Sequence, residues 1–280
     1  MNTSLQQILF LLNKNRGMDF FGYRTAMIQR RIDQRLPFTN CKDINAYFFY
    51  LKETPLELDI LIDTLTINVS QFFRDPLIFE YLSARILPAL FEQKKKHPHP
   101  SLRIWSSGCA MGEEPYSIAM LINEYMNIEK QTTDLNMDVT IFATDIDRKI
   151  IKKAKKAVYA FESIKNVKYG LVKKNFLSQE KGFHLLPFLK ERVSFSVYDI
   201  LDQNSYAPPE SIFGNFDMVF CRNMLIYFNT QYQDTIFDKL YRSLSLNGYL
   251  ILGEAEVPPI KHQNHFRKVN ECCHIYQKYQ

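Results

Sequence analysis

The first 66 residues carry apolar positions at helical spacing, broken by turn signals. Ser4 and Gln7 form a capping box ahead of LQQILFLLNK, and Gly17 ends that helix. A second helix is predicted over 21–36. Ile28, Ile32 and Leu36 give it an apolar stripe, and Arg24, Arg31 and Arg35 a basic face beside that stripe. A third covers 43–52 and is rich in aromatics, and Thr54 and Pro55 open a fourth, LELDILIDTL. Asp75 and Pro76 cap one more, which runs through Leu90 into the lysines at 94–96.

From Ser101 the period changes. Apolar runs at 102–106, 139–144, 193–198, 217–221, 248–253 and 273–278 read as strands, and stretches at 115–127, 147–156 and 230–244 as helices. This alternation predicts an α/β fold, with a parallel sheet flanked by helices. The expected architecture is a Rossmann-like sheet, residues 76–280, behind a helical N-terminal domain, residues 1–75. Residues 157–192, with Gly170 and Gly182, interrupt the alternation as a small insert.

Composition narrows the setting. A chain of 280 residues, 46% hydrophobic, is long enough for one large core or two unequal ones. Its five cysteines lack metal-ligand spacing and imply no disulfide framework, which fits a reducing cytoplasm. No apolar run is long enough to cross a bilayer, and no basic stretch precedes a long apolar one at the N-terminus. His97 and His99 lie in KKKHPHP without further ligands nearby, so a solvated loop is expected and no metal. The net charge of +5 is too modest to argue for nucleic acid.

The chemistry concentrates in four stretches. In RIWSSGCAMGEEPYSIAM, residues 103–120, a short strand meets Gly108 and Gly112, and Pro115 is placed at the first position of a helix. Such turns bind nucleotide-type ligands in open α/β folds. Glu113 and Glu114 at the helix start would repel a phosphate, so a cationic, phosphate-free ligand is favoured. S-adenosylmethionine, with its sulfonium and ammonium groups, fits. In IFATDIDRKIIKKA, residues 141–154, Asp145 ends a strand where ribose hydroxyls are often held, and Asp147 is a natural N-cap. Asp145 could equally be a cap and nothing more. DMVFCRNMLIYF, residues 217–228, presents Arg222, Asn223 and Tyr227 after the buried Met218, Val219 and Phe220. TINVSQFFRDP, residues 66–76, interleaves Asn68, Ser70 and Arg74 with Val69, Phe72 and Phe73 at the domain junction. A guanidinium there can hold a carboxylate in bidentate geometry.

Together these stretches resemble the chemotaxis receptor glutamate methyltransferases, the CheR-type family. NVSQFFRD, GCAMGEEPYS, ATDID and FCRNMLIYF stand in that family's order over almost the whole chain. The resemblance implies a class I S-adenosylmethionine-dependent fold with a small β-subdomain at 157–192. It implies cofactor contacts from Asn68, Ser70, Arg74, Gly108, Glu114, Asp145, Asp199, Ile200, Cys221 and Arg222, with Arg74 and Tyr227 as the catalytic pair. Asp145 would take the ribose hydroxyls, Asp199 and Ile200 would lie near the adenine, and Tyr227 near the transferred methyl group. Ser70 stands where Thr is common and keeps the hydroxyl. Asp199 stands where Asn is common and loses an amide donor, and Met111 replaces a small polar residue.

The implied reaction methylates glutamate γ-carboxylates of chemoreceptors. The carboxylate is already ionised at neutral pH, so no general base is required. The basic face of Arg24, Arg31 and Arg35 would meet the acidic receptor helices, and a receptor tail could dock on the insert. Three other readings stay open on the residues alone. They are a methyltransferase of another protein or small molecule, a non-catalytic S-adenosylmethionine-binding regulator, and a nicotinamide enzyme. The missing GxGxxG and the paired glutamates count against the last.

Overall fold

The computed structural model describes residues 3–66, 68–129 and 137–279. The chain divides into two compact units, Met1–Ile67 with Leu225–Gln233, and Asn68–Met224 with Asp234–Gln280.

The first unit is helical. Its main helices are α1 (Thr3–Arg16), α2 (Thr25–Thr39), α3 (Ile44–Glu53) and α4 (Pro55–Leu65). Leu5, Ile8, Leu9 and Leu12 of α1 recur three or four apart and are buried with Ile28, Ile32, Tyr47, Leu51, Leu58, Leu61 and Leu65. Asp43 caps α3 by accepting from the Ala46 N–H, and Gly17 closes α1 with φ +67°. The capping box is not formed. Ser4 lies inside α1, and its hydroxyl faces Asn45 Oδ1 at 3.5 Å.

The basic face is also corrected. α2 begins at Thr25, so Arg24 is its extended N-cap residue, and its Nε donates to the Phe228 carbonyl. Arg35 is not free for a partner. Its Nε and terminal nitrogen donate to the two carboxylate oxygens of Glu57 at 2.8 and 3.0 Å, and Tyr47 donates to the same carboxylate. Glu57 is 4% exposed, so this triad is a core ion pair at the edge of the apolar stripe. Removing one partner strands a buried charge. Arg35→Met is expected to cost about 3 kcal/mol in urea unfolding, and adding Glu57→Gln to recover part of the loss.

The second unit opens with α5 (Pro76–Tyr81), a π-helical turn (Leu82–Ile86) and α6 (Leu87–Lys94). Pro88 cannot donate to the preceding turn, which accounts for the widened ladder there. Then follow β1 (Ser101–Ser107), α7 (Glu113–Glu129), β2 (Asp138–Asp145) and α8 (Arg148–Lys156). The insert holds β3 (Val158–Tyr159), α9 (Phe161–Ile164), α10 (Tyr169–Asn175), β4 (Phe176–Gln179), β5 (Gly182–Leu185) and α11 (Pro187–Lys190). The chain ends with β6 (Val193–Val197), β7 (Phe216–Cys221), α12 (Thr230–Ser243), β8 (Leu244–Leu252), α13 (Ile260–Gln263), β9 (Phe266–Lys268) and β10 (Ile275–Lys278).

The main sheet has seven strands in the order β6-β2-β1-β7-β8-β10-β9. The first five are parallel, but β10 pairs antiparallel with both β8 and β9, so the sheet is mixed rather than parallel throughout. The insert forms a separate three-stranded antiparallel sheet, β3-β5-β4. Strand order reverses between β1 and β7, the position where open α/β sheets place a ligand crevice at the carboxyl ends.

Residues 68–75 fall in this unit, earlier than the expected boundary after 75. Phe72 is buried edge-on to Tyr159 and Phe176 at 4.8 and 5.6 Å, and the Phe73 N–H donates to Ser117 Oγ. Among the described residues, no helix is long and apolar enough to cross a membrane.

Candidate functional site

The turn between β1 and α7 follows from its backbone. Gly108, Ala110 and Gly112 all have positive φ, at +69°, +48° and +90°. At Gly108 the φ of +69° is a conformation that residues with a Cβ rarely adopt, which favours glycine there. The turn is pinned to β2, because the Cys109 N–H donates to the Thr144 carbonyl and the Ala110 N–H to Asp145 Oδ2. α7 starts at Glu113, so Pro115 is its third residue rather than its first. The first-turn N–H groups lack helical partners, so proline costs nothing there either.

A buried ion network joins the ends of β1 and β7. Glu114 accepts from Ser106 Oγ at 2.8 Å and from Arg222 at 3.0 Å. Arg222 also donates to Asp75 Oδ2 at 2.6 Å and to the Arg74 carbonyl at 2.7 Å, and it lies over the Phe79 ring. Its side chain is 1% exposed. One expectation changes here. Asp75 makes no capping bond to α5, because its carboxylate is turned to Arg222. Arg222 is the hub that fixes Glu114, Asp75 and the backbone of Arg74. Burial pushes the Glu114 carboxyl up, and the Arg222 charge pulls it back down.

The half-buried Arg74 is held by that network through its carbonyl, while its guanidinium makes no hydrogen bond or ion pair among the described residues. On β2, Asp145 Oδ1 accepts from the Asp147 N–H and its carbonyl from the Tyr198 N–H. Burial raises its carboxyl. Asp147 caps α8 through the Lys149 and Ile150 N–H groups and accepts from Asn68 Nδ2 at 3.1 Å. Asn68, Asp145, Asp147, Glu114, Arg222 and Arg74 are thus brought together around the carboxyl ends of β1, β2 and β7.

Ser70 is half-buried near the start of the same segment. Asp199 follows β6, its carboxylate accepting from the Leu201 N–H, and Ile200 is buried. Cys221 is fully buried at the end of β7, and burial raises its thiol. Tyr227 belongs to the helical unit, in a single turn, Leu225–Tyr227, whose carbonyl accepts from the Arg24 N–H.

Sequence reasoning missed one acidic group. Glu256 is 4% exposed and its Oε2 accepts from the N–H groups of Asn223 and Gly253 at 2.8 Å each. It holds Asn223 at φ +56°, immediately after Arg222. A glutamate three residues past the strand-ending Gly253 was the only local hint. Glu113 is 3% exposed, and its Oε2 has no hydrogen-bond partner among the described residues.

Burial pushes the Glu113 carboxyl from its ordinary 4.5 up to about 7, although backbone bonds at Glu113 and Met111 pull the other way. The folded chain therefore holds this proton more tightly than the unfolded chain. The associated stability is fully present below pH 4.5 and is lost as pH rises through 7. The ionised form at pH 8 costs roughly 3 kcal/mol. Glu113→Gln keeps the shape without the charge, so its melting temperature should exceed the parent's at pH 8 by more than at pH 5.

The residues fit a cationic nucleoside ligand. They offer buried carboxylates at the turn, at Glu113, Glu114 and Asp145, beside a backbone of positive-φ residues. The family model described as CheR methyltransferase, SAM binding domain, matches residues 68–274. The model described as CheR methyltransferase, all-alpha domain, matches residues 3–66. The chain belongs to the CheR methyltransferase family.

The step from one family domain to the next coincides with the break between the compact units at Ile67 and Asn68. The chemotaxis protein methyltransferase of Borreliella burgdorferi is 31% identical over 90% of this chain and 87% of its own length. Chemotaxis protein methyltransferase 2 of Vibrio cholerae is 30% identical over 90% of this chain and 86% of its own. Chemotaxis protein methyltransferase 1 of Pseudomonas aeruginosa is 35% identical over 71% of this chain and 69% of its own. As a CheR methyltransferase, the protein uses S-adenosylmethionine, and its sheet is a Rossmann-like class I methyltransferase sheet that follows a helical unit in the sequence.

Proposed function

We propose that the protein methylates glutamate γ-carboxylates of chemoreceptors, giving methyl esters and S-adenosylhomocysteine. The observation that carries this reading is Arg74, a guanidinium fixed by its backbone to the Arg222 network yet left without a partner among the described residues. Bidentate donors of this kind suit a carboxylate acceptor.

The cofactor supplies an electrophilic methyl group on a sulfonium. Asp145 is assigned the ribose hydroxyls, and Glu114, held by Ser106 and Arg222, the amino-acid end. Gly108, Asn68, Ser70 and Cys221 shape the remaining contacts, and Asp199 and Ile200 the adenine side. One bond forms, between the carboxylate oxygen and the methyl carbon. One breaks, between that carbon and sulfur, whose electron pair stays on sulfur. No proton moves, so the residues work by orienting and desolvating the carboxylate. Arg74 orients it, and Tyr227, on the strength of the CRNMLIYF motif, aligns the donor.

Of the receptor-facing arginines, Arg24 and Arg31 are carried forward, while Arg35 serves the core. A stronger field lies elsewhere. Residues 148–192 hold 13 basic against 3 acidic residues, whereas the rest of the chain holds 22 against 27. On α8, the exposed Arg148, Lys152, Lys153, Lys155 and Lys156 make no ion pair among the described residues. Lysines attract an acidic surface without fixing its geometry, so their effect falls on encounter rate. The Lys152→Glu, Lys153→Glu, Lys156→Glu triple variant is expected to lower kcat/KM for receptor about tenfold at low salt. It should also flatten the salt dependence and leave S-adenosylhomocysteine binding unchanged.

The reading as a whole is tested by incubating the protein with methyl-labelled S-adenosylmethionine and chemoreceptor-rich membranes. Release of volatile methanol on mild base is expected, and base-stable label would overturn the glutamate assignment.

A further inference from the structure

Lys239 lies on α12 among Ile236, Phe237, Leu240 and Ser243, all buried, and is itself 4% exposed. An ammonium in that stripe is costly. Burial pulls it from 10.5 down to about 8, and Asp202 and Asp199 recover only part of the difference. A methionine would fill the same space without the penalty. A buried charge kept at such a cost points to work done outside the core.

That work is visible in its partners. The Lys239 ammonium donates to Tyr198 Oη at 2.9 Å and to the Asp202 carbonyl, and it sits 5.0 Å from the centre of the Tyr198 ring. Tyr198 Oη in turn donates to the Ser205 carbonyl at 3.0 Å. Between these anchors the chain has no regular structure. It is shaped by the Leu201 N–H on Asp199 Oδ1 and the Asp202 N–H on the Asp199 carbonyl. The segment is also tied to β2, because the Tyr198 N–H donates to the Asp145 carbonyl at 3.0 Å. One ammonium therefore grips both ends of the turn that carries Asp199 and Ile200, at the carboxyl end of β6.

We propose that Lys239 is a positioning residue for the methyl donor, holding the 198–205 loop in the shape that offers Asp199 and Ile200 to the cofactor. This rests on the reading of Asp199 and Ile200 as cofactor contacts. Lys239 touches no reacting atom, so its loss should act on cofactor affinity and not on the methyl-transfer step. Removing the ammonium leaves the half-buried Asp202 carbonyl without this donor and frees Tyr198 to move with the loop.

The test is calorimetric titration of S-adenosylhomocysteine into the parent protein and the Lys239→Met, Lys239→Arg, Tyr198→Phe and Asp199→Ala variants, with steady-state kinetics alongside. Lys239→Met, which removes the ammonium's hydrogen bonds to Tyr198 and Asp202, is expected to raise Kd about tenfold. KM for S-adenosylmethionine should rise with it, kcat at saturation should stay within about twofold, and the melting temperature should not fall. Lys239→Arg should restore part of the affinity. Tyr198→Phe, which keeps the ring and removes the acceptor, should weaken binding by a smaller factor and serves if Lys239→Met does not fold. Parent-like Kd in both Lys239→Met and Tyr198→Phe, with weakened binding in Asp199→Ala, would overturn the role of Lys239 alone. Parent-like Kd in Asp199→Ala would overturn the underlying assignment of the loop.

Discussion

Arg222→Met is expected to cost about 3–5 kcal/mol of folding stability, the largest loss from any single change in the α/β unit. The arginine is 1% exposed and answers two carboxylates and a carbonyl at once. Without it, Glu114 keeps only the Ser106 hydroxyl, and Asp75, already at φ +58°, loses its ion pair. The Glu114 carboxyl, raised by burial even beside Arg222, would rise further, so the folded variant would take up a proton more readily than the unfolded chain. The loss should therefore be smaller at pH 5.5 than at pH 8, the direction set by a raised carboxyl. Arg222→Lys should recover only part, because one ammonium cannot reproduce the fork that reaches three acceptors. Urea unfolding at the two pH values measures this directly, and a loss under 1 kcal/mol would contradict a buried network.

Arg74→Ala should produce the opposite profile. Its guanidinium holds nothing in the described structure, so stability should stay within about 0.5 kcal/mol of the parent. Turnover of receptor should fall roughly 100-fold or more, because a carboxylate left unoriented and solvated attacks poorly. Arg74→Lys keeps the charge and loses the bidentate geometry, and an intermediate rate is expected. Melting curves with single-turnover methylation separate the two arginines, one lost as stability and the other as rate. Near-normal turnover in Arg74→Ala would remove it from the mechanism.

What was legible in the chain follows from the range of each interaction. Helical and strand periodicities are local, and α1 to α4, β1, β2 and β7 stand close to where they were expected. The glycine turn and the cap at Asp147 are also local, and they formed. Long-range pairings were hidden. Arg35 looked like surface because Glu57 is 22 positions away, and the ion pairs of Arg222 were invisible because Asp75 and Glu114 are more than 100 away. Lys239 carried no signal in the sequence because its partner Tyr198 is 41 positions off. Phe72 could be placed only at the domain junction, because only the insert's Tyr159 and Phe176 reveal which core it joins. The strand expected at 273–278 stands as β10, but its antiparallel direction and the three-residue β9 escaped, because strand direction and very short strands leave no trace in periodicity.

The most direct test of the account is mass spectrometry of chemoreceptor cytoplasmic peptides after incubation with the protein and S-adenosylmethionine. The account predicts methyl groups on glutamate side chains, removed by mild base, absent without the protein and strongly reduced with Arg74→Ala. Methyl groups on any other residue type, or none on a receptor that another chemotaxis methyltransferase modifies, would contradict it.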